Sequence, residues 1–445
     1  MKINYWNYSE IHDSDLGRIM ARSEADIQDV STTVLPIIED VRTKGDAALI
    51  EYARKLDQSE IKNGLKARDN DFEDAYNTLD PDVIDAIRVC AENVRIHHQH
   101  QMDRVETQWV EEVRPGQFAG EKVSPVPSAG LYVPRGKGAF PSAMFMLCIP
   151  AVIAGVEKIA VCTPPTPDGG FDAASLVAAD ISGVRDVYKA GGAQAIAALA
   201  YGTETIPKVS KVEGPGNAYV SCAKRLLADI LDPGMPAGAS ESLVLADDSA
   251  DPHNTCLDMI SEAEHGPDSA SLLVTTSETL AREIQKRLPD IIKDLPEQRQ
   301  SYIRDVFATH GGILVCDTLE EAIAFANEYA AEHLQIKVHN PFDVLAEIQN
   351  AGEIIVGEAT TFVMGSYGIG INHVLPTGQK ALTHSCTSVW SFLKRSSLAY
   401  VTPQAFDNLE QPVATIARYE GFDGHAKVVT DRNKDVFEAL DLKKQ

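Results

Sequence analysis

Two pairs of side chains have the types and the spacing that chemistry needs. Glu262 and His265 are three residues apart near the end of a predicted helix, so they share one face, where a carboxylate and an imidazole can hold one metal ion. Glu332 and His333 are adjacent in the chain and combine an acid with a base. An acid–base pair together with a metal site is the equipment of an enzyme rather than of a binding module, so the sequence predicts an enzyme.

Other polar groups along the chain are weaker candidates. Asn372 and His373 lie in a segment with several glycines, and Glu420 precedes His425 near the C-terminus. The candidates also have simpler explanations. A histidine at a helix end, such as His265, suits the helix dipole without a metal. An isolated pair such as Glu332 and His333 is typical of a surface, and His373 could cap its loop. The three histidines within 97–100 are explained by a polar helix face.

The composition is that of a globular protein with more than one domain. The chain has 445 residues, of which 44% are apolar and 24% charged, and this length exceeds one simple core. Its net charge of −25 argues against nucleic acid or an anionic membrane as a partner, because both require a cationic surface. A phosphate-bearing cofactor is not excluded, since backbone N–H groups and helix N-termini can bind it locally.

Cysteine usage and hydropathy predict a cytoplasmic protein. The seven cysteines are scattered without a Cys-x-x-Cys pair, which indicates reduced thiols rather than a disulfide framework. The N-terminal residues lack a sustained apolar stretch, so no signal peptide is expected. The most apolar segment, 143–156, is about 14 residues long and contains Pro150, so it is too short to span a membrane and is expected to be a buried helix.

Hydrophobic periodicity predicts helices over residues 1–120 and then alternating strands and helices, which indicate βαβ units and parallel sheets. The predicted strands are 158–163, 186–190, 208–213, 242–246, 271–275 and 334–338. Asp251 before Pro252 predicts the start of the helix that carries the metal pair. A capping box between Thr318 and Glu321 predicts the start of the helix that precedes the acid–base pair.

Two predicted strand-to-helix turns are rich in glycine, GGAQ at 191–194 and GPGN at 214–217. Such turns let a ligand approach the backbone at the carboxyl ends of strands, where open α/β sheets bind nucleotides. The Gly-x-Gly-x-x-Gly fingerprint followed by an acid about 20 residues later is absent. The turns are therefore either plain loop glycines or cofactor contacts.

Taken together and in order, the motifs resemble those of histidinol dehydrogenases. The matching segments are LYVP at 131–134, GGAQAIAALA at 191–200, GPGN at 214–217, MPAGASE at 235–241, AEHGPD at 263–268, EHL at 332–334 and NHVLPT at 372–377. The resemblance spans most of the chain, and residues 1–100 match in general character only.

The resemblance implies a fold and an activity. Histidinol dehydrogenases are zinc enzymes that use two NAD molecules to oxidise L-histidinol through an aldehyde to the acid. The implied fold is α/β, with two incomplete Rossmann-like domains with parallel sheets, a helical N-terminal segment, and a C-terminal segment swapped between the subunits of a homodimer. The expected boundaries are 1–28 for the N-terminal segment, 29–130 with 238–385 for the first domain, 131–237 for the second domain, and 386–445 for the dimerisation segment.

The resemblance also assigns roles to residues. Glu332 and His333 match the catalytic pair, in which His333 would accept the hydroxyl proton and Glu332 would activate water for the second oxidation. The positions that match contacts with NAD are Tyr132, Gln194 and Asn217. The positions assigned to the substrate are Ser240, Ser366, His373 and Glu420. By the same resemblance, Glu420 and His425 serve the active site of the second subunit.

Two of the family's four zinc positions differ in this chain. Glu262 stands where the family has glutamine and Ser366 where it has aspartate, whereas His265 and His425 are retained. Serine is a poor zinc ligand, so Glu262, His265 and His425 are expected to bind zinc as a His₂Glu set with an open position. Because the two changes offset each other in charge, we expect zinc to be kept while its geometry and the substrate differ.

Two further departures leave the substrate open. Arg135 and Lys137 are cations where the family has small or neutral residues, and they are either surface charges or contacts for an anion such as the NAD phosphate or an acidic substrate. The sequence SCTS at 385–388 replaces a stretch that usually contains glycine and leucine. The alternative to histidinol is another small polar alcohol, such as a sulfonated diol. A non-catalytic descendant would not need the retained Glu332 and His333.

Overall fold

The computed structural model describes residues 1–22, 27–135 and 138–437. The β-strands, numbered along the chain, are β1 (Tyr5–Asn7), β2 (Gln108–Arg114), β3 (Gln117–Pro125), β4 (Ser128–Tyr132), β5 (Lys158–Thr163), β6 (Val187–Lys189), β7 (Lys211–Glu213), β8 (Glu241–Ala246), β9 (Ala270–Thr275), β10 (Gly312–Val315), β11 (His333–Lys337), β12 (Glu353–Val356) and β13 (Leu393–Val401).

The α-helices are α1 (Asp13–Ala21), α2 (Ile27–Lys44), α3 (Asp46–Leu56), α4 (Asp69–Thr78), α5 (Pro81–Met102), α6 (Pro141–Ile153), α7 (Ala173–Ile181), α8 (Gly192–Tyr201), α9 (Ala218–Leu226), α10 (Pro252–Ala263), α11 (Glu278–Ile291), α12 (Glu297–Ala308), α13 (Leu319–Tyr329), α14 (Pro341–Glu347), α15 (Phe362–Tyr367), α16 (Pro403–Tyr419) and α17 (Asp423–Thr430). The chain divides into two compact units. The first contains residues 1–103 and 126–392, and the second contains residues 104–125 and the described residues from 393 onward.

The first unit contains a six-stranded sheet in which all neighbouring strands are parallel, in the order β1-β10-β9-β8-β11-β12. The central strands β8 and β9 are buried along their whole length and are mostly apolar, as a sheet covered on both faces requires. Successive residues alternate between the faces, so Val244 packs with α10, α11 and α12, whereas Leu243 packs with α13 and α14.

The first unit also contains a four-stranded parallel sheet in the order β6-β5-β4-β7. In chain order this is third, second, first, fourth, which is one half of a Rossmann-type sheet with its switch point between β4 and β7. Apolar side chains of α2, α3, α8 and α9 form one core with this sheet. The predicted α/β class with parallel sheets is confirmed, and the predicted domain boundaries stay a prediction.

Two predicted helix starts are confirmed in detail. The Asp251 carboxylate accepts a hydrogen bond from the Asn254 N–H at 2.9 Å, and α10 begins at the next residue, Pro252. Thr318 and Glu321 form the reciprocal capping box at the start of α13, with bonds of 3.2 and 3.3 Å. Both helices are therefore fixed at their N-termini by local sequence, which positions their C-terminal ends near the candidate site.

The prediction of helices throughout residues 1–120 is wrong for β2 and β3. These strands form an antiparallel hairpin across Pro115 and Gly116, and Gly116 has a φ of +78°, a conformation that favours glycine. In the second unit β3 also pairs along its whole length with β13, giving a three-stranded sheet. Strand β2 is exposed at every residue, so it lacks the period of two by which a half-buried strand is recognised.

The apolar segment 143–156 is accounted for by α6, a buried helix that leads into β5, as expected. Among the described residues, no helix combines the length and the apolar character that crossing a membrane would need. All seven cysteines are free thiols. The cytoplasmic location stays a prediction.

A buried histidine connects α5 to the loop of Asn372 and His373. The Nδ1–H of His98 donates to Oε1 of Gln101 at 2.8 Å, so its Nε2 accepts from the Asn372 amide at 3.2 Å. The Asn372 amide also donates to the carbonyl of Met146 at 2.7 Å. The interpretation of a polar helix face is therefore wrong for His98, which is fully buried and holds the Asn372 loop in place.

This connection predicts an acid-sensitive contribution to stability. Burial lowers the pKa of His98 to about 4, whereas the unfolded chain titrates near 6.5. Between these values the unfolded state binds the additional proton, so stability is lost as the pH falls through this window, by up to about 3 kcal/mol. We expect His98→Gln to lose less stability than the wild type between pH 7 and pH 4.5, as measured by urea unfolding. His253→Gln, at an exposed position of α10, is the control and should lose as much as the wild type. Equal losses in all three proteins would contradict the prediction.

Candidate active site

The predicted acid–base pair lies at the amino end of β11, at the side of the six-stranded sheet where its parallel strands begin. Glu332 precedes β11 and His333 is its first residue, and the two are 8% and 3% exposed. The parallel register aligns His333 with Ser242 of β8 on one side and with Glu353 of β12 on the other. The alternative explanation, a solvated surface pair, is therefore wrong.

Hydrogen bonds fix the carboxylate of Glu332. Its Oε2 accepts from the backbone N–H of Glu241 at 2.9 Å and lies 3.3 Å from Oγ of Ser240. The same oxygen is 3.7 Å from Nε2 of His333. Burial raises the pKa of Glu332 to about 8, although His333 opposes the shift. A carboxyl group with such a pKa can take up or release a proton near neutral pH, as a general acid or base must.

The imidazole of His333 has carboxylates near both of its nitrogens. Nδ1 is 2.5 Å from Oε1 of Glu353, and Nε2 faces the carboxylates of Glu332 and Glu262 at 3.7 and 3.9 Å. The ring of Phe362 packs edge-on against it with centroids 5.7 Å apart. Burial alone would lower the pKa of His333, but the charges of Glu262, Glu332 and Glu353 outweigh it and raise the pKa to about 10.

The predicted metal pair lies beside this imidazole, at the end of α10. Glu262 is buried, and its Oε2 accepts from Oγ of Ser240 at 2.7 Å and is 3.4 Å from Nδ1 of His265. Burial would raise the pKa of Glu262, but His333 and His265 lower it below its usual range, so the carboxylate is ionised. An anionic oxygen and an imidazole nitrogen this close can both reach one zinc ion at about 2 Å, so the pair fits zinc.

The other two predicted residues near the C-terminus belong to the second unit. Glu420 follows α16, and His425 lies in α17 with its ring 5.0 Å from that of Phe422. Both line a groove of about 630 Å³ whose remaining walls are apolar, formed by Leu409, Pro412, Val413, Ile416, Ala417, Val428 and Val429. Of the expected zinc ligands, Glu262 and His265 are therefore residues of the first unit, and His425 is a residue of the second.

Within the described ranges, one group of three potential ligands lies close enough together to share an ion. Asp247, Asp248 and His339 meet at the carboxyl ends of β8 and β11, whereas His333 lies at the amino end of β11. Most of this group is exposed, and exposed acidic groups of this kind are common without a metal. It is not the site that the sequence predicts.

His373 and Ser366, both assigned to the substrate, contact each other. The Nδ1–H of His373 donates to the backbone carbonyl of Ser366 in α15 at 2.5 Å, which leaves Nε2 as an acceptor. Burial lowers the pKa of His373 to about 4, so the ring is neutral at pH 7. Ser366 thus contacts His373 through its backbone carbonyl, and the second ring nitrogen of His373 is left as an acceptor.

The residues assigned to NAD lie at the carboxyl ends of three strands of the four-stranded sheet. Tyr132 ends β4, and its hydroxyl oxygen accepts from the N–H of Gly192 at 3.0 Å. Asn217 follows β7 and caps α9 by accepting from two backbone N–H groups at 3.1 Å. Gln194, in the first turn of α8 after β6, is buried, and its Oε1 has no hydrogen-bond partner among the described residues. An unpaired buried amide oxygen fits a site that a polar ligand completes.

The two departures from the family pattern lie in different surroundings. Arg135 is half-buried. Burial raises the pKa of the Asp57 carboxyl to about 6, and the positive charge of Arg135 acts in the opposite direction. Arg135 is therefore a counter-charge for Asp57. Lys137 lies outside the described residues. Cys386, in the stretch 385–388, lines a cleft of about 360 Å³ at the carboxyl end of β7.

Sequence reasoning missed three charged residues of the site. Arg22 donates to Oε2 of Glu241 at 2.5 Å and to the carbonyl of Tyr329, and both charged side chains are buried. Glu241 in turn holds Glu332 through its backbone, and Glu353 binds His333. The sequence offered one signal for the two acids, because Glu241 and Glu353 are each the first residue of a mostly apolar strand. A charged side chain is rarely buried in such a strand without a partner. Nothing in the sequence marks Arg22.

Comparison with known proteins decides the family. The family model described as Histidinol dehydrogenase matches residues 20–433. This chain belongs to the histidinol dehydrogenase family. The histidinol dehydrogenase of Synechocystis sp. is 44% identical over 425 residues, which cover 95% of this chain and 98% of that protein. A histidinol dehydrogenase homolog of Cereibacter sphaeroides is 44% identical over 432 residues, which cover 96% and 98%. The crystal structure of histidinol dehydrogenase from Elizabethkingia anophelis matches with a TM-score of 0.91 at 32% identity, covering 98% of both chains.

The resemblance seen in the motifs is thus confirmed for the family and for the α/β fold. Histidinol dehydrogenases are oxidoreductases acting on CH–OH groups, and the family is in general NAD-dependent and zinc-containing. The relatives of equal identity include a protein named histidinol dehydrogenase and one named a homolog. Identity alone therefore does not choose the substrate, and the roles of the individual residues stay predictions.

The buried ion pair beneath Glu332 predicts a large effect on stability. Arg22→Met would leave Glu241 buried without a counter-charge, so we expect the free energy of unfolding to fall by about 3–5 kcal/mol. The control is Arg18→Met in α1, which breaks a pair with Asp15 whose side chains are 47% and 35% exposed. Its effect should stay below about 1 kcal/mol. Denaturant unfolding of both variants checks this, and similar effects of the two substitutions would argue against it.

Proposed function

We propose that this protein is a zinc-containing, NAD-dependent dehydrogenase that oxidises L-histidinol through an aldehyde to L-histidine. The observation that carries the proposal is the buried acid–base pair, with Nε2 of His333 3.7 Å from Glu332 and 3.9 Å from Glu262, in a chain that matches a histidinol dehydrogenase structure over 98% of its length. An imidazole beside two carboxylates is suited to proton transfer.

The two oxidations assign different tasks to the pair. In the first, Nε2 of His333 accepts the proton of the substrate hydroxyl, and a hydride passes to NAD from the carbon that bears this hydroxyl. The product is the aldehyde. In the second, Glu332 accepts a proton from the water that adds to the aldehyde, and the resulting hydrate anion loses a second hydride to a second NAD and becomes the acid. Glu332 suits this role because its raised pKa lets it exchange protons near neutral pH.

Zinc is proposed to bind Glu262 and His265, with His425 as a third ligand. When bound, zinc would supply a positive charge that polarises the substrate oxygen and neutralises Glu262, a carboxylate whose charge raises the pKa of His333. Ser240 holds Glu262 and lies beside Glu332, and therefore links the metal pair to the acid–base pair. His373 offers a neutral Nε2 to the substrate.

NAD is proposed to bind at the switch point of the four-stranded sheet, between β4 and β7. This position is where open α/β sheets take their ligands, and Tyr132 and Asn217 lie on its two sides. Gln194 supplies an unpaired amide oxygen close to the Gly192 turn. Gly192 has a φ of +58°, and a side chain there would collide with this oxygen, so the turn keeps the backbone open to a ligand.

A homodimer with shared sites is proposed because Glu420 and His425 lie in the second unit on an exposed, largely apolar groove. Large apolar side chains around it are exposed, with Ile416 at 59%, Phe422 at 53% and Val428 at 57%. A second copy of the chain would cover this groove and receive both polar residues in its own site, as the family resemblance implies.

Turnover tests the substrate. We expect the zinc-loaded protein to produce two NADH for each L-histidinol consumed, because both oxidations use the same acid–base pair. His333→Gln should bind NAD and fail to turn over, and zinc content should be measured on both proteins. One NADH per histidinol would contradict the second oxidation. Intact NAD binding without turnover would redirect the search to other small polar alcohols, the alternative suggested by Glu262 and Ser366 at the altered zinc positions.

Subunit mixing tests the shared site. His333→Asn and His425→Asn homodimers should each be inactive. In a mixed dimer one site receives both substitutions and the other receives neither, so random exchange should restore about one quarter of the wild-type activity. The measurement is NADH formation after the two inactive proteins are unfolded together and refolded. Mixing His333→Asn with Glu332→Gln is the matched control. It should restore no activity, because each site takes both residues from the same subunit. Absence of recovery in the first mixture would refute a site shared between subunits.

A further inference from the structure

We propose that Glu353 is a positioning residue that fixes the orientation and the tautomer of His333, so that Nε2 of His333 is kept as the nitrogen that exchanges protons with the substrate. This inference rests on the proposed function of His333 as the base. Glu353 itself does not face the reacting groups, because the side of His333 that it binds is opposite to the side facing Glu332 and Glu262.

The sheet register brings the two side chains together. β11 and β12 are parallel neighbours, and His333 and Glu353 are paired Cα partners at the first position of each strand. Side chains at paired positions project from the same face, so the contact follows from the sheet itself and needs no loop. The backbone N–H of Glu353 also donates to the carbonyl of Glu332 at 2.9 Å, which fixes the start of β12 against the acid–base pair.

The contact determines which nitrogen carries hydrogen. A carboxylate oxygen accepts hydrogen bonds, so at 2.5 Å from Oε1 of Glu353 the Nδ1 of His333 is the donor. The proton held on Nδ1 leaves Nε2 as the site where a second proton is gained and lost. Carboxylate–imidazole contacts orient functional histidines in this way at other active sites.

The surroundings of Glu353 indicate that this is its main task. The residue is 6% exposed, and the only side-chain hydrogen bond of its carboxylate among the described residues is the one to His333. Its second oxygen, Oε2, is buried, has no hydrogen-bond partner in the part of the chain that the structure describes, and lies near Gly365, where an added methyl group would be 3.3 Å from it. A buried carboxylate with one partner is expensive as a structural element alone, so the partner is the reason for its presence.

Substitution of Glu353 tests the inference by separating kcat from KM. We expect Glu353→Ala to lower kcat by about 10- to 100-fold with KM for histidinol and for NAD unchanged, because the base is misaligned while the binding groups remain. Glu353→Gln should lose as much, since its amide can donate to Nδ1 and stabilise the wrong tautomer. Glu353→Asp should recover part of the rate, and added formate should recover part of the rate of Glu353→Ala by occupying the vacated space.

The matched control is Asp258→Asn, which removes another buried carboxylate of the first unit, one paired with Lys337 rather than with a histidine. Its thermal stability should fall while kcat per folded molecule stays the same. An unchanged kcat in Glu353→Ala would overturn the inference. A fall in both stability and kcat without recovery by aspartate or formate would overturn it as well, because it would indicate a structural role only.

A measurement without substrate separates this inference from the proposed function. In protein labelled with ¹⁵N-histidine, the strongly bonded Nδ1–H of His333 should give a downfield proton resonance that is absent in His333→Gln and in Glu353→Ala. If the wild type does not oxidise histidinol, the proposed function fails, whereas loss of this resonance in Glu353→Ala still supports the contact. A resonance that persists in Glu353→Ala would overturn the inference whatever the substrate is.

Discussion

The burial of four carboxylates, three of them around one imidazole, is the constraint on which the rest of the active site depends. Removing a carboxylate from water costs several kcal/mol even after relaxation, so each acid needs a nearby positive charge or donor. Glu241 is paired with Arg22, whereas Glu262, Glu332 and Glu353 surround His333. The elements that carry these groups, α1, β8, α10, β11 and β12, are consequently tied to one another by charge as well as by apolar packing. A divalent cation beside Glu262 would relieve the remaining excess of negative charge, which explains why a site of this composition suits a metal enzyme.

Much of the fold followed from local sequence, and the part that did not depends on distant pairing. The caps at Asp251 and Thr318 are set by neighbouring residues, and the buried parallel strands are short apolar runs, so both kinds of element were predictable. The hairpin of β2 and β3 was missed because β2 is exposed and its partner sheet is completed by β13, far away in the chain. Sheet order and helix-to-sheet assignment are likewise properties of long-range packing, which no local pattern encodes.

The candidate site was predictable where the reactive residues are close together in the sequence. Glu332 is adjacent to His333 in the chain, and Glu262 is one helical turn before His265, so each pair is close for local reasons. Arg22 and Glu353 are found only through tertiary structure, since each meets its partner across a sheet or between elements. His98 shows the opposite error, because a residue in a polar run is in fact the buried link to Asn372.

The three-stranded sheet of the second unit has a consequence for how the protein is made. Strands β2 and β3 emerge early in synthesis, but β13, the strand that covers the other edge of β3, is translated only after more than half of the chain has intervened. Until then β3 presents unpaired backbone groups, which is a template for pairing with a neighbouring chain. The exposed and charged strand β2 shields one edge and the growing chain must protect the other. The second unit, with the groove of Glu420 and His425, can therefore be completed only after β13 has been made, and a chain that ends before β13 contains the acid–base pair but lacks the residues of this groove.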